Sequence, residues 1–360
     1  MGRSNQARLD LGALRHNLAH ARQLAPAARV MCVVKANAYG HGAVTVAQAL
    51  DPLADALAVA CIEEALELRE SGITSPILLL EGWFERDELP LAVANNLWVM
   101  VDNQRQLQWL EQARLPAPVT CWLKVDTGMH RLGVAPADVA GFHQRLQASP
   151  NAHDDVVTCT HFACADEANN AMTARQLAQF ENLTDGITGP RSAANSAGVL
   201  AWPSSHYDWI RPGYMLYGNS PMVDPHPNTG SLRAVMTLVS SVISVRHVAA
   251  GESVGYGATW IARRPSRIAT ISIGYGDGYP RMAANGTPVL INGQRARLAG
   301  RVSMDMITVD VTDLDAVQLG DEAVLWGKDL PVDEVALHAG TSGYELTTRM
   351  PARTPRVVVA

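Results

Sequence analysis

Up to about Gly218 the chain alternates short apolar runs with longer amphipathic stretches. The apolar runs fall at Met31 to Lys35, Ala56 to Ala60, Pro76 to Leu80, Leu97 to Val101, Val119 to Val125, Val156 to Phe162, Arg191 to Asn195 and Tyr207 to Ile210. Each has the length of a strand, and most are separated by enough residues to hold a helix. Ile62 to Arg69 has helical spacing of its apolar positions, and the stretch beyond Lys35 reads as helical as far as Leu50. Eight strand candidates alternating with helices predict an α/β fold, a (β/α)₈ barrel of the TIM type. An open doubly wound sheet competes with it, but no Gly-x-Gly-x-x-Gly turn follows an early strand.

Beyond about Leu232 the rhythm changes. Val235 to Val248 is a long β-rich run, followed by short strand candidates at Arg267 to Ile273, Pro288 to Ile291, Arg295 to Leu298, Met306 to Val311 and Glu322 to Trp326. Glycine pairs and Asn292-Gly293 mark the turns. The pattern predicts a separate, mostly β domain over 232–360 after a barrel over 1–231, with Val223 to Ser231 as the linker.

Composition narrows the function classes. Of 360 residues, 48% are hydrophobic and 18% charged, which suits a packed enzyme and argues against disorder. A net charge of -6 without a basic cluster argues against nucleic acid as a partner. The opening residues Met1 to Gln6 lead into a polar, helix-like stretch and lack the apolar core of a signal peptide. No run of about 18 apolar residues is present to span a membrane. Five cysteines, an odd number in mostly strand-like settings, read as reduced thiols of a cytoplasmic protein. Cys159-x-His161-x-x-Cys164 lacks a second ligand pair, so no metal is expected.

The most informative segment is Val33-Val34-Lys35-Ala36-Asn37-Ala38-Tyr39-Gly40-His41-Gly42. A buried strand there delivers an amine to a crowded, glycine-lined rim, where loss of solvating water favours a nucleophilic lysine and Schiff-base chemistry. Lys35, Asp126, His161, Asn195 and Arg211 all fall at or just beyond the C-terminal end of an apolar run, the end on which a barrel gathers its catalytic loops. Arg131 within Lys124 to Gly133 offers a guanidinium to an anion. Arg211-Pro212-Gly213-Tyr214 brings backbone N–H groups within reach of a phosphate. Asn195-Ser196-Ala197-Gly198 is a small-residue turn with a hydroxyl. Singly, each of these also reads as an ordinary βα turn, and a lone histidine such as His161 as a hydrogen-bonded core residue. In the second domain Tyr256 and Tyr275 are each flanked by glycines, which suits either a turn or a side chain aimed into a cleft. Arg301-Val302-Ser303-Met304-Asp305 is uninformative alone.

Taken together and in this order, the Lys35 segment, Lys124 to Gly133, Arg211-Pro212-Gly213, Gly255-Tyr256-Gly257 and Arg301 to Asp305 closely resemble the alanine racemases, from about Leu9 to Pro355. The resemblance implies a barrel with a C-terminal β domain and pyridoxal 5'-phosphate held by Lys35 as a Schiff base. It implies that Tyr39, Ser196 and the backbone of Gly213 and Tyr214 hold the phosphate. His161 would lie against the ring, Arg131 would reach its phenolate oxygen and Arg211 its nitrogen. It further implies Lys35 and Tyr256 as the two acid–base groups, with Tyr256 crossing from the partner in a head-to-tail homodimer. Arg131 and the Met304 N–H would meet the substrate carboxylate. Lys124, often carbamylated in the family, would steady Arg131, and Asp166, Tyr275, Arg281, Arg301 and Asp305 would form or support a gated entry. One departure is noted: Ala352 precedes Arg353-Thr354-Pro355 where many members are expected to carry an entrance tyrosine. A serine or broad-specificity racemase is the nearest alternative, then a decarboxylase of related fold. A non-catalytic binding protein for the same cofactor is the alternative from another class.

Overall fold

The computed structural model describes residues 3–359. Eight parallel strands close a barrel: β2 (Arg29–Val33), β3 (Ala56–Val59), β4 (Ile77–Leu79), β5 (Leu97–Val101), β6 (Cys121–Lys124), β7 (Val157–Cys159), β8 (Arg191–Ser192) and β9 (Trp209–Ile210), with β9 returning to pair with β2. All eight coincide with the apolar runs read from the sequence. Alternate residues of a strand face opposite sides, and here one parity fills the barrel. Met31, Val33, Ala56, Ala58, Leu78, Met100, Trp122, Val157, Cys159 and Trp209 make the interior cluster. The other parity, including Val30, Cys32, Leu57, Val59, Leu123 and Ile210, packs against the surrounding helices.

A second, eight-stranded sheet has the order β13-β16-β15-β14-β17-β10-β1-β18. Its members are β1 (Gln6–Asp10), β10 (Met236–Val248), β13 (Ser266–Ile271), β14 (Pro288–Ile291), β15 (Gln294–Leu298), β16 (Ile307–Asp310), β17 (Glu322–Trp326) and β18 (Arg356–Val359). A short hairpin, β11 (Ser253–Val254) and β12 (Trp260–Ile261), stands apart from it. Two short helices, Val332–His338 and Gly343–Thr348, accompany this sheet where the sequence suggested none.

The first strand corrects the sequence reading. Gln6–Asp10 is not helix-like and does not belong with the barrel: it pairs antiparallel with β10 and parallel with β18. Its side chains alternate, with Ala7 and Leu9 buried in the second core. Asp10 then ends the strand and caps the following helix, Leu11–Leu24, accepting from the Ala13 N–H at 2.8 Å. A division that assigns every residue up to 231 to the barrel therefore misplaces this strand. The segment expected as a linker is tied to that first helix: His20 bonds the carbonyl of Asn228 and His16 that of Ser231, both at 2.8 Å.

Candidate active site

The interior parity of the strands carries straight on into the chemistry. Met31 and Val33 are followed at the next inward step by Lys35, Trp122 by Lys124, Val157 and Cys159 by His161, and Trp209 by Arg211. An apolar plug thus ends in a layer of nitrogen bases at the C-terminal mouth of the barrel. There the chain forms a cleft of about 590 Å³, whose wall includes Lys35, Tyr39, Lys124, Arg131, His161, Asp166, Asn195, Ser196, Arg211, Gly213, Tyr214 and Tyr344.

The segment after β2 is not the continuous right-handed helix expected to Leu50. Ala36, Asn37, Ala38 and Tyr39 all have φ between 52° and 54°, one turn of left-handed helix, and the right-handed helix begins only at Ala43. Left-handed conformation costs about 1–2 kcal/mol for each residue that has a Cβ, so the turn persists because its surroundings over-determine it. The Glu64 carboxylate accepts from the N–H of Ala36 at 2.6 Å and from that of Ala60 at 2.8 Å. The Asn37 side chain accepts from the Ala43 N–H at 2.7 Å. His41, fully buried and stacked on Tyr217, places Nδ1 3.0 Å from the carbonyls of both Ala38 and Tyr39. Arg356 of β18 donates to the Gly40 carbonyl at 3.0 Å. Lys35 and Tyr39, at the two ends of this turn, are thereby aimed at one cleft.

Opposite lies a cradle of small groups. The Ser196 hydroxyl accepts from the N–H groups of Gly213 at 2.9 Å and Met215 at 3.2 Å. The Tyr39 hydroxyl lies 2.5 Å from where a Cβ on Gly213 would stand, so only glycine fits. Burial pushes the Tyr39 phenol up to about 12, which keeps it a neutral donor.

Arg211 is buried, donating to the Ser192 hydroxyl, to the Thr160 carbonyl at 2.6 Å and to the Ala193 carbonyl at 3.3 Å. Its position is fixed by neutral oxygens, a hydroxyl and two backbone carbonyls, not by a carboxylate. Lys35, Lys124 and Arg131 likewise form no ion pair among the described residues. Burial, with Arg211 and Arg131 near, lowers the Lys124 amine. Burial lowers His161 well below an ordinary imidazole, helped by Arg211, Lys124, Arg131 and Lys35, so its ring is neutral. The cleft wall thus sets four basic side chains, Lys35, Lys124, Arg131 and Arg211, against two acidic ones, Glu81 and Asp166.

Two sequence expectations change here. Asp126 sits at a strand end but serves its own loop, accepting from the N–H groups of Gly128 at 2.9 Å and His130 at 3.0 Å and from the His130 ring at 2.8 Å. The C-terminal segment, where Ala352 left the entrance contact either absent or supplied otherwise, supplies a tyrosine from another position. Tyr344, on the helix Gly343–Thr348, lines the cleft and stacks on Tyr214 with ring centroids 3.5 Å apart. Asp333 fixes that pair by accepting from the Tyr214 hydroxyl at 2.8 Å.

The remaining candidates stand elsewhere. Among the described residues, the cleft wall includes none of Tyr256, Tyr275, Arg281, Arg301, Met304 and Asp305. Tyr256 lies between β11 and β12, 71% exposed, on a turn that needs positive φ at Gly255, Gly257 and Ala258. The Arg301 guanidinium carbon would lie 3.3 Å from a Cβ on Gly257, and Arg281 stacks over Tyr275 at 5.8 Å. Met304 is 53% exposed. These residues form a second group on the β domain, separate from the cleft of their own chain.

Comparison with known proteins follows the same division. Residues 9–221 match the family model of the alanine racemase N-terminal domain, and residues 235–358 that of the C-terminal domain. The alanine racemase of Vibrio cholerae is 53% identical over 348 residues, 96% of each chain. The crystal structure of the biosynthetic alanine racemase from Pseudomonas aeruginosa superposes with a TM-score of 0.96 at 50% identity, covering 100% of both chains. That of the alanine racemase from Bartonella henselae, solved with covalently bound pyridoxal phosphate, gives 0.90 at 31% identity, again over 100% of both. On its barrel, its second sheet and its sequence over nearly all its length, this chain belongs to the alanine racemase family, whose reaction interconverts L-alanine and D-alanine.

Proposed function

We propose that this chain racemises alanine with pyridoxal 5'-phosphate in the cleft, using Lys35 and the Tyr256 of a second copy as its two acid–base groups. The residues present fit that cofactor. The Ser196–Gly213–Tyr39 cradle, which a Cβ would fill, suits a phosphate, and Tyr214 adds backbone beside it. The Lys35 amine and the Arg131 guanidinium, neither in an ion pair among the described residues, suit an aldehyde and a phenolate, and neutral His161 suits the flat of a ring. Arg211, buried but unable to surrender its proton at physiological pH, suits an unprotonated ring nitrogen. When bound, pyridoxal phosphate makes the α-proton of an amino acid acidic by delocalising the charge left behind.

Racemisation removes that proton from one side of the α-carbon and returns one to the other, so two groups are needed. Lys35 takes or gives the proton on one side. Tyr256 serves the other, with the Arg301 guanidinium packed beside its turn at Gly257. Arg131 and the Met304 N–H hold the carboxylate. Lys124 steadies Arg131, and Asp166 with Tyr275, Arg281, Arg301 and Asp305 screens what enters.

The single observation that carries this reading is the separation of the two groups: a cleft rich in cations but lacking Tyr256, and an exposed Tyr256 without a cleft. A head-to-tail homodimer brings each to the other. Exposed Ile261, Met282, Met304 and Met306, which share the β domain with Tyr256, supply apolar surface for such a contact. The five free thiols suit a reducing, cytoplasmic setting, and among the described residues no helix is long and apolar enough to cross a membrane.

The test is substitution at both positions. Lys35→Ala abolishes racemisation and the absorbance of covalently held cofactor. Tyr256→Phe keeps that absorbance but slows racemisation by about 10²–10⁴-fold, with exchange of the α-proton against solvent impaired unequally for the two enantiomers. Equal exchange at wild-type rate in Tyr256→Phe would refute the assignment.

A further inference from the structure

Asp277 is 1% exposed yet holds a full set of charged partners. Arg3 donates to both of its oxygens at 2.9 Å, and Nε of Arg353 lies 3.1 Å from Oδ1. Oδ2 also accepts the Gly274 N–H at 2.9 Å. A buried carboxylate so surrounded is a structural anchor, with three hydrogen bonds and two guanidinium groups offsetting the loss of water.

The anchor joins segments far apart in sequence. The loop around Asp277 grips the loop around Met304 through two backbone bonds, from Tyr275 N–H to the Ser303 carbonyl at 3.0 Å and from Gly276 N–H to the Met304 carbonyl at 2.9 Å. Gly274 has no room for a side chain because the carbonyls of Ser303 and Met304 occupy that space. Both arginines then reach past Asp277 to the second loop. Arg353 donates to the Asp305 carboxylate at 2.5 Å, and Arg3 to the Asp305 carbonyl at 2.8 Å. The outcome is a rigid platform presenting two groups outward. Tyr275 is exposed, and the Met304 N–H has no acceptor among the described residues. A free backbone donor on an over-braced loop is a preformed receptor for a carboxylate oxygen.

We propose that Asp277, clamped between Arg3 and Arg353, is a positioning residue that sets the Met304 N–H and the Tyr275 ring for the substrate carboxylate bound in the cleft of a second copy. It touches neither substrate nor cofactor. This rests on the shared-site reading above, because the platform does not line the cleft of its own chain.

The test uses the holoenzyme. In Asp277→Asn the Gly274 N–H keeps an acceptor while both guanidinium groups lose the buried charge at Asp277 and keep only the half-exposed Asp305 carboxylate. KM for L-alanine rises by about tenfold or more, kcat stays within about threefold, and the bound-cofactor absorbance is unchanged. Arg353→Gln, which leaves the Arg3 pair in place, shifts KM in the same direction by less. An unchanged KM in both variants, or a fall in kcat at constant KM, overturns the proposal; should Asp277→Asn not fold, Arg353→Gln alone decides it. A heterodimer of Lys35→Ala with Asp277→Asn chains, purified through two different tags, separates this from the shared-site reading. Its one live site combines the Lys35 of the Asp277→Asn chain with the intact platform of the other, so KM returns to the wild-type value. A KM as high as in the Asp277→Asn homodimer would show Asp277 acting on the cleft of its own chain and would overturn presentation to a second copy, even with the homodimer result standing.

Discussion

The carbonyl oxygen of Thr347 occupies the place where a side chain on Gly40 would begin. Gly40 closes the left-handed turn that carries Lys35 and Tyr39, with φ at 81°. Thr347 belongs to the β domain, so the second domain is pressed directly against the turn that positions the amine. Gly40→Ala adds a Cβ to a strained φ and into backbone that cannot move aside. It is expected to destabilise the protein by about 2–4 kcal/mol and to lower retention of the cofactor. Urea unfolding together with absorbance of the purified protein checks both.

The proposed shared site predicts a quantitative complementation. Lys35→Ala and Tyr256→Phe chains are each nearly inactive alone. Refolded together at equal amounts, half of the dimers are mixed, and each has one site with both groups intact. About a quarter of wild-type racemase activity should return, given symmetric head-to-tail pairing. No recovery in dimers confirmed as mixed by tag purification would mean that both groups act within one chain.

Tyr344 sets the width of the cleft. Its ring is clamped on Tyr214, which Asp333 holds in turn. Replacing it by alanine removes a wall without touching the cation layer. Tyr344→Ala should therefore raise the rate with serine and larger amino acids relative to alanine, by the ~1–3 kcal/mol that a lost apolar contact is worth in discrimination. Relative kcat/KM for L-alanine, L-serine and L-lysine measures it.

His41 makes stability depend on pH. Burial lowers its imidazole to about 4, with its hydrogen bonds to the Tyr39 and Ala38 carbonyls opposing the shift. The folded protein keeps the ring neutral, whereas the unfolded chain protonates it below about 6.5. Between those values the unfolded state binds the extra proton. Stability present above about pH 6.5 is therefore lost as pH falls toward 4, by about 2–3 kcal/mol from this residue. His41→Phe keeps a ring against Tyr217 but cannot titrate. The variant should be weaker at pH 7, having lost two hydrogen bonds, and should lose less on going to pH 4.5. Urea midpoints at both pH values, at one protein concentration, test the sign.

The barrel was legible because its strands are buried on both faces and read as unbroken apolar runs; β2 to β9 need no other signal. The inward layer of Lys35, Lys124, His161 and Arg211 was legible for the same reason, since each polar residue interrupts such a run at its end. The strand β1 was not, because five residues with only Ala7 and Leu9 apolar resemble the start of the helix they lead into, and their partners lie more than 200 residues away. Nothing in Ala36-Asn37-Ala38-Tyr39 suggests left-handed backbone. That conformation is held by His41 just beyond the turn and imposed by Glu64, Thr347 and Arg356 from other parts of the fold. Tyr344 escaped notice because it precedes Arg353 by nine residues, and only its stack on Tyr214 brings it to the cleft. Nothing local marks Asp277, because its partners Arg3 and Arg353 lie at the two ends of the chain.

The pairing of β1 between β10 and β18 has a consequence for how the protein comes into being. On the ribosome, the barrel can close once β9 has emerged, yet the sheet that flanks it still waits for its last member. The braces on the Lys35 turn, Thr347 and Arg356, arrive in the same late stretch. A nascent chain halted before that stretch would display its reactive amine on an unsupported loop. The proposed cofactor site therefore gains its last two braces only when the C-terminal stretch has been made.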